Sequence, residues 1–203
     1  MEKNIIIFGK NSIIAKNFIK KASSLRSNII TISSSSNNTN DLNFNIGKFI
    51  SPKDINSLAI KIKEKLIFRD TVFILFSWCG VPRTIDKKGE IWSVNMYIIK
   101  NFLNITEVVN PSRIIFLSSA GELYPKNIKS YKFSEEEFSL PNTSYGRQKL
   151  LSEKLLADFA KFHNKEFTIL RISSAYGFDK RFSDQGVINK WLYLAINEKK
   201  LEL

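Results

Sequence analysis

Cysteine occurs once in the 203 residues, at Cys79, and histidine once, at His163. A single thiol excludes an internal disulfide framework, and no set of Cys and His stands at metal-ligand spacing. No metal is therefore expected. Long apolar runs are also missing: Ile5–Phe8 and Val72–Phe76 are far too short, against about 20 residues for a membrane-spanning helix. Met1-Glu2-Lys3-Asn4 passes directly into the first of these runs without a signal-peptide core. The expectation is a cytoplasmic protein with no membrane partner.

Acidic residues are sparse, 19 against 31 Lys and Arg, for a formal charge of +12. Such an excess raises the question of a polyanion partner. The lysines, however, are scattered along helical patterns (Lys16, Lys20, Lys61, Lys154), and no zinc-finger, RNA-recognition or helix-turn-helix signature accompanies them. This speaks against nucleic acid and for a solvated basic surface, which would also favour an anionic small ligand. His163 falls near the end of a helix pattern, where a cation suits the dipole, and is given no chemistry.

What is present is an alternation of strand and helix patterns. Residues 3–8 form a β-branched run ended by Gly9, and a helix pattern extends from Ile13 to about Arg26. A second strand is expected over Asn28–Ser33, followed by the polar Ser/Asn tract of residues 33–40. Pro52 opens a helix to Leu66, Thr71–Phe76 is a third strand, and Ile91–Val109 is a long helix closed by Pro111. Arg113–Leu117, Thr143–Phe162 and Phe167–Ile172 then read as strand, helix and strand, and residues 187–197 as a last helix. Strands alternating with helices predict an α/β fold, a doubly wound parallel sheet of Rossmann type.

Two chemical signals stand out. The first turn, Gly9-Lys10-Asn11-Ser12-Ile13-Ile14-Ala15, keeps one glycine of a phosphate-cradling pattern, with Ser12 and Ala15 at the other two positions. The second is Ser144-Tyr145-Gly146-Arg147-Gln148-Lys149 at the start of a helix. Tyr145 and Lys149, four residues apart, share a helix face. A nearby ammonium pulls a tyrosine from its usual pKa of about 10 toward neutrality, which suits a general acid/base. Tyr176 and Lys180 have the same spacing, but in a loop-like context.

Four segments together resemble the extended short-chain dehydrogenase/reductases, the NAD-dependent nucleotide-sugar epimerase/dehydratase family. These are Phe116-Leu117-Ser118-Ser119-Ala120-Gly121-Glu122-Leu123-Tyr124-Pro125, the helix segment from Pro141 to Glu153, Leu170-Arg171-Ile172-Ser173-Ser174-Ala175-Tyr176-Gly177, and Asn95 in the long helix. The resemblance implies an epimerase or dehydratase acting on a nucleotide-sugar substrate through a keto intermediate, in a pathway such as surface-polysaccharide synthesis. Tyr145 would exchange the sugar hydroxyl proton, and Lys149 would hold the phenolate and the nicotinamide ribose. The family's third hydroxyl position falls on Ala120, so Ser119, one residue earlier, is the candidate donor.

Cofactor contacts are expected from Gly9, Asn11, Ser12, Ile13, Ser33, Ser77, Trp78, Asn95 and Lys149, and substrate contacts from Ser174 and Tyr176. The resemblance implies NAD. The run Ser33–Ser36 lacks the carboxylate that reads a ribose 2′-hydroxyl, which leaves NADP open. A homodimer through paired helices is common in such enzymes. Residues 1–180 are expected to form the dinucleotide-binding domain and 181–203 the start of a substrate lobe that is largely missing, as if the chain were truncated. The rival expectation is a non-catalytic relative that keeps the fold and a dinucleotide.

Overall fold

The computed structural model describes residues 2–34, 41–124, 132–137, 139–176 and 187–200. Ser35, Ser36, Pro125, Gly177 and Lys180, named above, lie outside the described residues. Six strands form one parallel sheet in the order β3-β2-β1-β4-β5-β6. They are β1 (Lys3–Phe8), β2 (Ser27–Ser33), β3 (Asp41–Asn43), β4 (Thr71–Leu75), β5 (Arg113–Ser119) and β6 (Glu166–Ile172). The order reverses direction between β1 and β4, which is the switch point where doubly wound sheets open a ligand crevice.

The helices among the described residues are α1 (Ile13–Ala22), α2 (Pro52–Glu64), α3 (Glu90–Val109), α4 (Ala120–Leu123), α5 (Ser144–Phe162) and α6 (Val187–Ile196). The expected doubly wound fold is what the chain forms. Two elements had no counterpart in the sequence reading, β3 and α4. Three and four residues respectively are too few to display a period of 2.0 or 3.6. Helix α1 also stops at Ala22, short of Arg26. Ser23 and Ser24 turn their hydroxyls onto the carbonyls of Lys20 and Lys21 (2.8 and 2.7 Å) and so compete with the next turn.

The core has two sides, sorted by the pleat. On one, Ile6, Phe8, Phe73, Leu75, Ile114 and Phe116 meet the apolar faces of α2, α3 and α5. On the other, Ile5, Ile7, Val72, Ile74 and Leu117 pack with Ala15 of α1, and Ile115 joins them. Even-numbered residues of β5 therefore look toward α5, and odd-numbered ones toward α1. This parity decides which side chains at the end of β5 share a face with the tyrosine and lysine.

Candidate active site

The site begins at Gly9, which ends β1 with φ +95°. A Cβ there would lie 2.6 Å from the backbone nitrogen of Ser77, so the two chain segments approach as closely as backbone allows. The amide of Gly9 donates to the Ile32 carbonyl and that of Ser77 to the Phe8 carbonyl, both at 2.9 Å. These bonds hold the ends of β1, β2 and β4 level and present the N-terminus of α1 beyond them. Ser12 is the cap of that helix: its hydroxyl accepts the Ala15 amide at 3.0 Å. Ala15 is fully buried against the sheet. The two replacements in the turn thus serve capping and packing.

A cleft of about 500 Å³ opens at the carboxyl ends of β1, β4, β5 and β6, within the range of small-molecule sites. Ser12 and Ile13 border it from α1, Trp78 from the loop after β4, and Ser118 and Ser119 from β5. Tyr145 and Lys149 enter from α5, Ser174 from beyond β6 and Asn189 from α6. Arg83 also lines it.

Helix α5 is aimed into the cleft by its own first turn. Thr143 caps it, accepting the Gly146 amide at 3.0 Å and donating its hydroxyl proton to Glu122 at 2.7 Å. Gly146 is required because a Cβ would meet the Glu122 carbonyl oxygen at 2.5 Å and Pro141 at 2.8 Å. The lysine, 4% exposed, donates from Nζ to the Leu117 carbonyl at 2.7 Å. Its ammonium lies 3.8 Å above the Trp78 ring, 4.7 Å from that of Phe116 and 5.8 Å from that of Tyr145. Trp78 meets Tyr145 edge to face, with centroids 6.3 Å apart.

The sequence reading placed Lys149 as the group that lowers the tyrosine's pKa, and here the shifts run the other way. Burial pushes Tyr145 up to about 12, and the Glu122 carboxylate adds to the rise. Burial also brings Lys149 down to about 7, against an opposing pull from Glu153. Both groups share one dry wall, and removal from water penalises each charged form more than the pair can offset. The ammonium is spent on a carbonyl and an aromatic face.

This burial has a measurable consequence. Between about pH 7 and 10 the unfolded chain keeps the lysine proton that the folded chain releases, so stability rises with pH. The slope reaches about 1.4 kcal/mol per pH unit. Urea unfolding at pH 7, 8 and 9 is expected to show wild type gaining on Lys149→Met at each step. Parallel behaviour of the two proteins would mean that the amine is not held dry.

Around this centre the remaining expected residues take different places. Asn95 is buried: it accepts the Cys79 amide at 2.8 Å, donates to the Cys79 carbonyl at 3.0 Å and donates to Gln148 at 2.7 Å. Gln148 in turn donates to Ser144 at 3.1 Å, so a polar chain ties the loop after β4 to the residue before Tyr145. Gly9 and Ser77 meet where β1 and β4 end, Ser33 is buried at the end of β2, and Asn11 is exposed in the turn; none of the four lines the cleft, nor does Asn95. Tyr176 is 71% exposed.

Sequence reasoning missed several members. Gln148 and Glu122 lie inside the quoted motifs, where the sequence assigns them no role, although both are buried. Asp41 supplies a carboxylate beside β2, whose own serine run has none; Thr31 and Lys10 donate to its two oxygens. The signal was an acidic residue opening a short apolar alternation after the polar tract. Among the described residues no three His, Cys, Asp or Glu converge as a metal site, and no helix is long and apolar enough to cross a membrane.

A dinucleotide fits this arrangement on two counts. The turn after Gly9 leads straight into the N-terminus of the ten-residue helix α1, where a phosphate finds free amides. Two buried polar atoms near the tyrosine, Trp78 Nε1 and Ser118 Oγ, have no partner within the protein, and the cleft takes in both residues.

Comparison with known proteins agrees with this architecture. The chain is 38% identical over 92 residues, 45% of its length, to dTDP-4-dehydro-6-deoxyglucose reductase of Escherichia coli, spanning 28% of that protein. Its fold resembles UDP-glucose 4-epimerase of Thermotoga maritima, solved with UDP-glucose (TM-score 0.81, 18% identity, 98% of this chain and 65% of that one). It also resembles UDP-glucose 4-epimerase of Thermus thermophilus, solved with NAD (TM-score 0.80, 13% identity, 98% and 64%). The chain therefore spans about two thirds of the length of these enzymes. The NAD dependent epimerase/dehydratase family profile matches residues 5–203. By that match, and with a parallel sheet, a glycine-led first turn and a tyrosine–lysine helix over one cleft, the chain belongs to the NAD dependent epimerase/dehydratase family.

Proposed function

We propose that this chain binds NAD and moves protons for an epimerase or dehydratase whose substrate is a nucleotide-activated sugar, passing through a keto intermediate. The observation that carries the reading is the convergence of Tyr145 and Lys149 on one cleft at the sheet's carboxyl edge, beside the N-terminus of α1. The family supports the cofactor. The nucleotide-sugar ligand of the Thermotoga neighbour and the name of the E. coli relative support the substrate class.

In this reading the turn Gly9–Ile13 holds the pyrophosphate at the helix N-terminus. Ser33 borders the adenosine ribose, and Ser77, Trp78, Asn95 and Lys149 border the nicotinamide half. Oxidised nicotinamide, when bound, supplies the hydride acceptor. Tyr145 exchanges the proton of the reacting hydroxyl, standing as phenol at neutral pH and so ready to protonate a keto oxygen. Lys149, on the same cleft wall, holds the nicotinamide ribose. A serine at the end of β5 supplies the third hydroxyl, and Ser174 and Tyr176 meet the sugar. Residues 1–180 act as the cofactor domain, and α6, which brings Asn189 to the cleft, opens the substrate side.

Calorimetric titration provides the test. NAD is expected to bind one site with a dissociation constant in the micromolar to low millimolar range, and NADP more weakly. Binding of neither at millimolar concentration would remove the basis of this reading.

A further inference from the structure

We propose that Ser118, rather than Ser119, supplies the hydroxyl that holds the substrate's reacting oxygen beside Tyr145; this rests on the function proposed above. The parity of β5 is the first ground. Ile114 and Phe116 face the layer that contains α5, and Ile115 and Leu117 face α1. Ser118 continues the first series and Ser119 the second, since Ser119 is still extended at φ −139° and ψ 118°. The hydroxyl on the side of Tyr145 and Lys149 is therefore that of Ser118.

The second ground is that this hydroxyl is held in reserve. Ser118 is 6% exposed, yet its Oγ has no hydrogen-bond partner within the protein. Buried hydroxyls are nearly always paired, so an orphan at a cleft wall points to a ligand atom. Its cross-strand neighbour, Arg171, is engaged with other groups: the guanidinium bonds Glu153 at 2.8 and 3.2 Å and the Tyr124 hydroxyl at 2.9 Å. The carbonyl just before Ser118 is the one that receives Lys149 Nζ. Strand and catalytic helix are thus pinned together at this residue, and the cleft includes Ser118, Tyr145 and Lys149 alike. Ala120 offers no hydroxyl of its own.

The role requires no bond to the serine. Its O–H donates to the substrate's keto oxygen while the Tyr145 phenol gives that oxygen its proton, hydride from the reduced nicotinamide, when bound, going to the carbon; Ser118 ends the cycle unchanged. Two measurements on Ser118→Ala and Ser119→Ala test this, turnover of nucleotide sugars and thermal unfolding. Ser118→Ala is expected to lower kcat about a hundredfold, as for loss of one preorganised donor, with KM within about threefold. Its Tm should be unchanged or higher, because an unpaired buried hydroxyl contributes nothing to the fold. Ser119→Ala should lose at least tenfold less.

Wild-type kcat in Ser118→Ala, with Tyr145→Phe inactive, would overturn this assignment and leave the proposed function standing. A kcat loss accompanied by a fall in Tm would mark a structural hydroxyl and also overturn it. A wild-type protein that binds NAD yet turns over no nucleotide sugar would overturn the serine's role and the proposed function together.

Discussion

Tyr145→Phe is expected to lower nucleotide-sugar turnover by about 10²–10⁴-fold, the usual contribution of a positioned acid/base, with NAD affinity changed by no more than about threefold. The change removes one oxygen from the cleft wall. The ring keeps its edge-on packing against Trp78, 6.3 Å away. The Lys149 amine keeps its bond to Leu117 and its seat on Trp78, neither of which involves the phenol. Burial and Glu122 already disfavour the phenolate, so no stabilising charge is lost, and the fold should be as stable as wild type or slightly more so. Steady-state kinetics alongside NAD calorimetry separate the two effects. Equal turnover in both proteins would contradict the role given to Tyr145.

Gly9→Val is expected to damage both fold and cofactor binding. A side chain at φ +95° is strained by about 1–3 kcal/mol. Its Cβ would also sit 2.6 Å from Ser77 N and 2.7 Å from Ser77 Cα, where only backbone can give way. Overpacking of this kind adds about 1–3 kcal/mol. The sum, roughly 2–6 kcal/mol, corresponds to a fall in Tm of roughly 5–20 °C for a chain of this size. In whatever fraction stays folded, NAD should bind at least tenfold more weakly, because β1 and β4 must part where the turn begins. A variant that melts and binds like wild type would show that the close approach at Gly9 is dispensable.

Much of this was legible from residues alone, for identifiable reasons. Strands β1, β4 and β5 are built on apolar runs of four or five residues (Ile5–Phe8, Val72–Phe76, Ile114–Leu117), so their composition marks them without reference to the fold. Pro52 announces α2, and the structure adds Ser51 as its cap, the hydroxyl accepting the Asp54 amide. Tyr145 and Lys149 were recoverable because one turn of helix forces them onto a single face.

What stayed hidden depends on contacts between distant segments. Spacing indicates that two groups are near each other but not that both are dry. The direction of their pKa shifts came from Trp78 and Phe116 closing over the amine, and those residues are 71 and 33 positions from Lys149. Asp41 became a neighbour of Lys10 only when β3 joined β2. Ser118 and Ser119 are indistinguishable as letters; the facing core layers separate them.

The most direct test is a crystal structure of the chain soaked with NAD. The account predicts the pyrophosphate at the Gly9–Ile13 turn and the nicotinamide in the 500 Å³ cleft, within reach of the Tyr145 hydroxyl. A dinucleotide bound elsewhere, or a nicotinamide kept from Tyr145 by an unmoved Trp78, would contradict it.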